Sequence, residues 1–208
     1  MLPTHLAVPT MQRPIRPIRP IRPTSPAPAG RCSAALALMA FAAAFMTLFP
    51  VAGQAHGPTR QKAIERITID APPSVVWAKI KNFDALKDWH PAVAESPADQ
   101  GNAVGSVRRV VLKGGGELTE TLEGHDDAKM KYSYRAKDGG PLPVTNYTSS
   151  ISVSAEGSRS VVEWRGAFYR GYPNNDPPPE QNDEAAVKAI VGVYKGGLDN
   201  LKKLVEGH

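Results

Sequence analysis

The stretch DEAAVKAIVGVYKGGLDNLKKLV, residues 183–205, places Val187, Ile190, Val191, Tyr194, Leu198, Leu201 and Val205 three and four positions apart. That spacing is one apolar stripe along a long helix. Asp183 and Glu184 fall in its first turn and Lys202 and Lys203 in its last, where they complement the helix dipole. Upstream, from Ala103 to Tyr169, apolar residues recur at every second position and Gly, Asp or Pro separate the runs. This predicts antiparallel strands at 106–112, 117–123, 129–136, 144–154 and 160–169, with a short one near 92–97. A first strand ends at Asp70 after Ala63, Ile64, Ile67 and Ile69, and Pro72-Pro73-Ser74 opens a helix with the stripe Val76, Trp77, Ile80 and Phe83. Phe83 to Trp89 reads as a second short helix ended by Pro91. One strand, two short helices, a run of antiparallel strands and a long amphipathic helix predict an α+β domain whose curved sheet wraps the last helix.

The remainder of the 208-residue chain reads differently. Residues 1–55 hold five Arg and no acid, which leaves 20 bases against 20 acids in the rest. A charge-balanced domain lacks the general basic footprint that draws proteins to nucleic acid, so no nucleic-acid partner is expected. Arg-rich Met11–Arg31 precedes the uncharged run Ser33–Phe49, and Gly53-Gln54-Ala55 supplies small residues at −3 and −1. This predicts a signal peptide over 1–55 with cleavage after Ala55, a single domain over 56–208 and a periplasmic location. No membrane attachment is expected after cleavage, because Cys32 precedes the apolar run and goes with the leader. Without Cys, and with His90, His125 and His208 isolated in sequence, neither a metal site nor a cofactor is expected. Cleavage would leave His56 with a free α-amine beside its imidazole, either a copper chelate or a plain residue of a floppy terminus, and no second ligand is placed for it.

Alternation assigns the candidate site. The inward set is Arg108, Val110 and Leu112 on one strand and Leu118, Glu120 and Leu122 on the next, so each strand turns one charge toward the core. Pairing Leu112 with Leu118 across a turn at 113–117 sets Val110 opposite Glu120 and Arg108 diagonal to it. Either the two charges meet in a wet cavity, or the register differs by one. Tyr132 and Tyr134 share a face with Met130, and Tyr147 with Ile151 and Val153. These tyrosines form either an aromatic ligand wall or plain core. Alternation does not decide whether Trp164 or Glu163 points inward. Trp89 and His90 close the second short helix, where His90 either packs or lines a cavity mouth, and His125 reads as part of a Gly-His-Asp-Asp turn. No nucleophile elbow, P-loop or dinucleotide fingerprint is present, and Gly114-Gly115-Gly116 links two strands as a hairpin. No residue is therefore assigned a catalytic role. Residues 171–182, with four Pro and two adjacent Asn, form a loop. With Tyr169, Arg170, Tyr172, Asn174 and Asn175 it is either a partner-binding element or a lid on its own cavity.

Ala71-Pro72-Pro73-Ser74 with Val76-Trp77, Phe83, Trp89-His90-Pro91, the Gly hairpin at 114–116 and Tyr132-Ser133-Tyr134 resemble the START-like, polyketide-cyclase and lipid-transport superfamily over about residues 62–206. Phe168-Tyr169-Arg170-Gly171-Tyr172, Asn174-Asn175-Asp176-Pro177-Pro178-Pro179-Glu180 and the His56-Gly57-Pro58-Thr59 start look like the narrower MxaD-type proteins. The resemblance implies a helix-grip fold with a cavity. For MxaD-type members it further implies an exported accessory role beside a methanol dehydrogenase or its cytochrome c. The alternative it leaves open is a carrier of a small apolar ligand or a cyclase-like enzyme, with Trp89, His90, Arg108, Glu120, Tyr132, Tyr134, Tyr147 and Trp164 as ligand contacts.

Overall fold

Alternation of buried and exposed residues along seven strands builds one antiparallel sheet, in the order β1-β7-β6-β5-β4-β3-β2. The strands are β1 (Gln61–Ile69), β2 (Val93–Glu95), β3 (Val107–Leu112), β4 (Glu117–Asp126), β5 (Lys131–Ala136), β6 (Val144–Glu156) and β7 (Arg159–Arg170). They come from a computed structural model that describes residues 57–207. The proposed leader, its cleavage point and His56 lie outside the described residues.

Three helices sit on the inner face: α1 (Pro73–Ile80), α2 (Leu86–Trp89), which a 3-10 turn at Phe83–Ala85 precedes, and α3 (Asp183–Glu206). Pro73 occupies the first turn of α1, where a missing N–H costs nothing. α3 begins where the Asn182 side chain accepts from the Ala185 N–H at 2.8 Å and ends at Gly207, whose φ of 78° is left-handed. Its buried stripe of Ile190, Tyr194, Leu198 and Leu201 meets Ile151, Val162, Trp164 and Phe168 of the sheet in one core. The predicted α+β helix-grip architecture is thus the observed one.

Local differences have identifiable causes. The β3–β4 hairpin pairs Val110 with Leu118 and Arg108 with Glu120, not Val110 with Glu120. Leu112 N–H bonds the Gly116 carbonyl at 3.1 Å, and Gly115 and Gly116 both adopt φ near 90°. The consecutive glycines therefore close a tighter turn than the expected one at 113–117. Met130 does not share a strand face with Tyr132, because its φ of 46° places it in the preceding turn. His125 is not in a turn: β4 runs on to Asp126 past an irregularity between Leu122 and Gly124. On β6 a bulge between Thr145 and Thr148 lets both Val144 and Tyr147 face inward.

Candidate functional site

Arg108 and Glu120 are 1% and 4% exposed and face each other directly across β3 and β4. The guanidinium donates from Nε and Nη2 to Glu120 Oε2 at 2.9 and 2.5 Å, and from Nη1 to the Phe83 carbonyl at 2.6 Å. Its plane also lies over the Phe83 ring, 4.0 Å from the centroid. A buried pair survives only with this degree of matching, since each ion alone would be costly to desolvate. Burial works most strongly against the Arg108 charge, but Glu120, joined by Tyr132 and Tyr134, outweighs it and holds the guanidinium above its ordinary value. The two charges meet, but not inside a shared cavity: Glu120 lines one whose wall is mostly apolar, whereas Arg108 lies behind it.

That cavity, about 90 Å³, lies between the sheet, α2 and α3. Of the anticipated ligand contacts, His90, Glu120, Tyr134, Tyr147 and Trp164 line it, among apolar side chains including Val110, Leu118 and Val193. Trp89, Arg108 and Tyr132 do not. They form a second layer, with Trp89 packed on Trp164 at 5.3 Å between ring centroids. Trp89 Nε1 is buried with no hydrogen-bond partner among the described residues. Trp164 resolves the ambiguity on β7 by pointing inward, while Glu163 turns outward to Arg66 and Arg165.

The hydroxyls around the cavity satisfy one another. Ser149 Oγ donates to the Arg165 carbonyl at 2.9 Å, so it accepts from Tyr194 at 2.9 Å and from Trp164 Nε1 at 3.0 Å. Tyr194 then accepts from Tyr147 at 2.8 Å, and Tyr134 accepts from Trp164 Nε1 at 3.2 Å. Burial raises the pKa of all four tyrosines, Tyr132, Tyr134, Tyr147 and Tyr194, so each stays a neutral O–H. Two lining residues keep polar capacity among the described residues: Glu120, whose bonds to Arg108 both end on Oε2, and Tyr134, whose hydroxyl accepts from Trp164 and has no acceptor of its own.

His90 is held in one tautomer. Its Nε2–H donates to the Val193 carbonyl at 3.0 Å and its Nδ1 accepts from Ala92 N–H at 3.3 Å. Burial lowers its pKa, helped by the nearby charges of Arg108 and Lys113 and opposed by the Val193 bond. It is a neutral packing element, not an acid at neutral pH.

Sequence reading missed Ser149 and Tyr194 as members of the site, and it missed two glycines. A Cβ at Gly197 would lie 2.6 Å from the His90 ring and 2.9 Å from Trp164, and one at Gly166 would overlap the Tyr194 hydroxyl. Their signal in the sequence was a glycine inside an apolar helix stripe and another inside a strand, where close approach is the usual reason.

The loop residues behave unequally. Arg170 is 5% exposed and turns inward, contrary to an exposed partner contact. It donates to the Tyr172 and Asn174 carbonyls at 3.1 and 2.8 Å and to Asp183 at 3.2 Å. It thereby braces the loop against the start of α3. Tyr169 and Tyr172 are half-buried, and Asn174 and Asn175 are exposed. None of the five lines the cavity beside Glu120, so the loop is not its lid.

The sheet that grips α3, with aromatic and ionic groups converging between them, defines a helix-grip protein. Residues 60–206 match the family described as polyketide cyclase / dehydrase and lipid transport, and the chain belongs to it. It is 31% identical to the protein XoxI from Bacillus cereus, covering 70% of this chain and 95% of that one with a TM-score of 0.59. The Zhui aromatase/cyclase from Streptomyces sp. R1128 has a TM-score of 0.60 at 15% identity, over 71% of this chain and 94% of that one. Norcoclaurine synthase from Thalictrum flavum, solved with dopamine and hydroxybenzaldehyde, has 0.55 at 18%, over 73% and 89%. At these lower identities the likeness establishes the fold alone.

Proposed function

We propose that the protein binds a compact, mostly apolar molecule carrying one hydroxyl-type group, held in the cavity beside Glu120. The observation that carries this is a cavity of about 90 Å³ with a mostly apolar wall that Glu120 and the hydroxyl-bearing ring of Tyr134 help to line. That volume is well below the roughly 300 Å³ at which drug-sized ligand pockets begin. A lipid chain or a polyketide does not fit, although relatives of this fold include a cyclase. Among the described residues that line the cavity, Glu120 is already ion-paired with Arg108 through Oε2 and His90 is engaged at both ring nitrogens. We therefore read the protein as noncatalytic. The test is an amide-resolved NMR titration with isobutanol and, separately, with palmitate. Isobutanol is expected to shift Val110, Leu118 and Val193, and palmitate to leave them unmoved. The reverse pattern, or no response to isobutanol, overturns the reading.

A second reading concerns setting. The MxaD-like residues 168–180 support an exported accessory role beside a methanol dehydrogenase or its cytochrome c, with Asn174 and Asn175 exposed on a loop that Arg170 keeps in shape. The two readings are compatible, because the loop and the cavity share no residue.

A further inference from the structure

The sheet has a second face, and none of α1, α2 and α3 packs on it. Strand register arranges its centre as three rows across β1, β7, β6 and β5. One row is Lys62, Ala167, Thr148 and Arg135; the next is Ile64, Arg165, Ser150 and Ser133; the third is Arg66, Glu163, Ser152 and Lys131. The β6 column is therefore short hydroxyls throughout, with long cations standing on both sides. The result is a shallow groove of about 390 Å³ lined by the short Thr148, Ser150 and Ser133 and by the long Lys62, Lys131, Arg165 and Glu123.

The charges are segregated. Residues outside the leader segment carry 20 bases and 20 acids, yet this patch holds five cations against Glu163 and the neighbouring Glu123. Both acids are already spent, Glu163 on Arg66 and Arg165 and Glu123 on Arg135. Lys62 and Lys131 have no carboxylate within ion-pair distance among the described residues. An unanswered positive potential over a rigid face steers oppositely charged partners more than it stabilises the fold.

We propose that this outer face docks an acidic protein surface in a transient, electrostatically steered complex. Short side chains leave room for carboxylates to descend between the lysines and meet the Ser133 and Ser150 hydroxyls at the floor, while the Thr148 hydroxyl is turned to the Ala167 carbonyl at 3.4 Å. A uniformly charged polyanion fits less well, because Glu163 and Glu123 interrupt the patch. A membrane surface fits poorly too, since Ile64, 47% exposed, is the large apolar side chain on offer in these rows. Self-association through the chain's own acidic stretch at Asp176, Glu180, Asp183 and Glu184 would run head to tail without closing. The inference is independent of the cavity, so either can fail alone.

The experiment titrates the purified, isotope-labelled protein with a synthetic peptide in which six Glu alternate with Ser. Amide shifts are expected at Lys62, Ile64, Lys131, Ser133 and Ser150. Affinity is expected to fall by about tenfold between about 20 and about 200 mM salt, as screening shortens the reach of the charges. Lys62→Glu/Lys131→Glu is expected to weaken binding by about tenfold or more, whereas Lys79→Glu/Lys188→Glu, with the same net-charge change elsewhere, stays within about twofold. Equal losses in the two variants would show a general charge effect and overturn the proposal. So would shifts mapping to another face, a short DNA duplex binding the same face more tightly, or salt-sensitive oligomers at low ionic strength.

Discussion

Glu120 stands between two neighbours: its Oε2 neutralises Arg108, and its side chain is part of the cavity lining. Glu120→Gln keeps the shape but removes the charge, leaving Arg108 buried with a neutral partner. Stability is expected to fall by about 1 to 3 kcal/mol in urea denaturation. The same change at exposed Glu117 is expected to cost under about 0.5 kcal/mol. Equal effects at the two sites would mean that the buried pair contributes no more than a surface one. The pair itself was legible, because one charge on the inward face of each of two adjacent strands is rare without a mate. Its direct opposition was not legible. Whether a glycine hairpin closes over three residues or five depends on two left-handed backbones that sequence does not reveal.

Among the elements, α3 was readable from its stripe and its charged ends, and the strands from their period of two. What escaped was whatever depends on two elements meeting. Tyr194 looked like any apolar-stripe residue until β6 supplied Ser149 and Tyr147 as partners. Gly166 and Gly197 have meaning only because side chains from other elements approach them. The loop at 171–182 shows the same limit, since Arg170 read as an exposed contact and proves to be its brace. Arg170→Ala is expected to lower stability by about 1 to 2 kcal/mol, having removed a charged donor from two carbonyls and Asp183. On the proposed accessory reading, Asn174→Ala/Asn175→Ala is expected to leave the melting temperature unchanged while weakening any binding to a methanol dehydrogenase or its cytochrome. An Arg170→Ala protein as stable as the parent would return that residue to the surface role. Unaltered affinity in the Asn double variant would remove the loop from any interface.

At the scale of the whole molecule, the buried imidazole of His90 links folding to pH. In the native state its charged form is disfavoured first by burial and then by the positive neighbours Arg108 and Lys113, with the Val193 carbonyl pulling the other way. Its pKa in the fold therefore lies below the roughly 6.5 of an unfolded histidine. Between those two values the unfolded chain binds a proton that the native protein refuses, so unfolding is favoured as pH falls. The His90 contribution is fully present above about pH 6.5 and is lost progressively below it, with a slope of at most about 1.4 kcal/mol per pH unit. Asp99, Asp126 and Glu163 have lowered values, so their stabilising contributions fade only in the more acidic carboxylate range. His90→Gln retains an N–H for the Val193 carbonyl but does not titrate, and it isolates the effect. Urea midpoints for the parent are expected to drop between about pH 7.5 and about pH 5, and those of His90→Gln to drop less. The gap between the two proteins should change with pH across that window. A constant gap would mean that the native imidazole accepts its proton as readily as the unfolded one, and the packing of α2 against Val193 and Gly197 would then have to open on acidification.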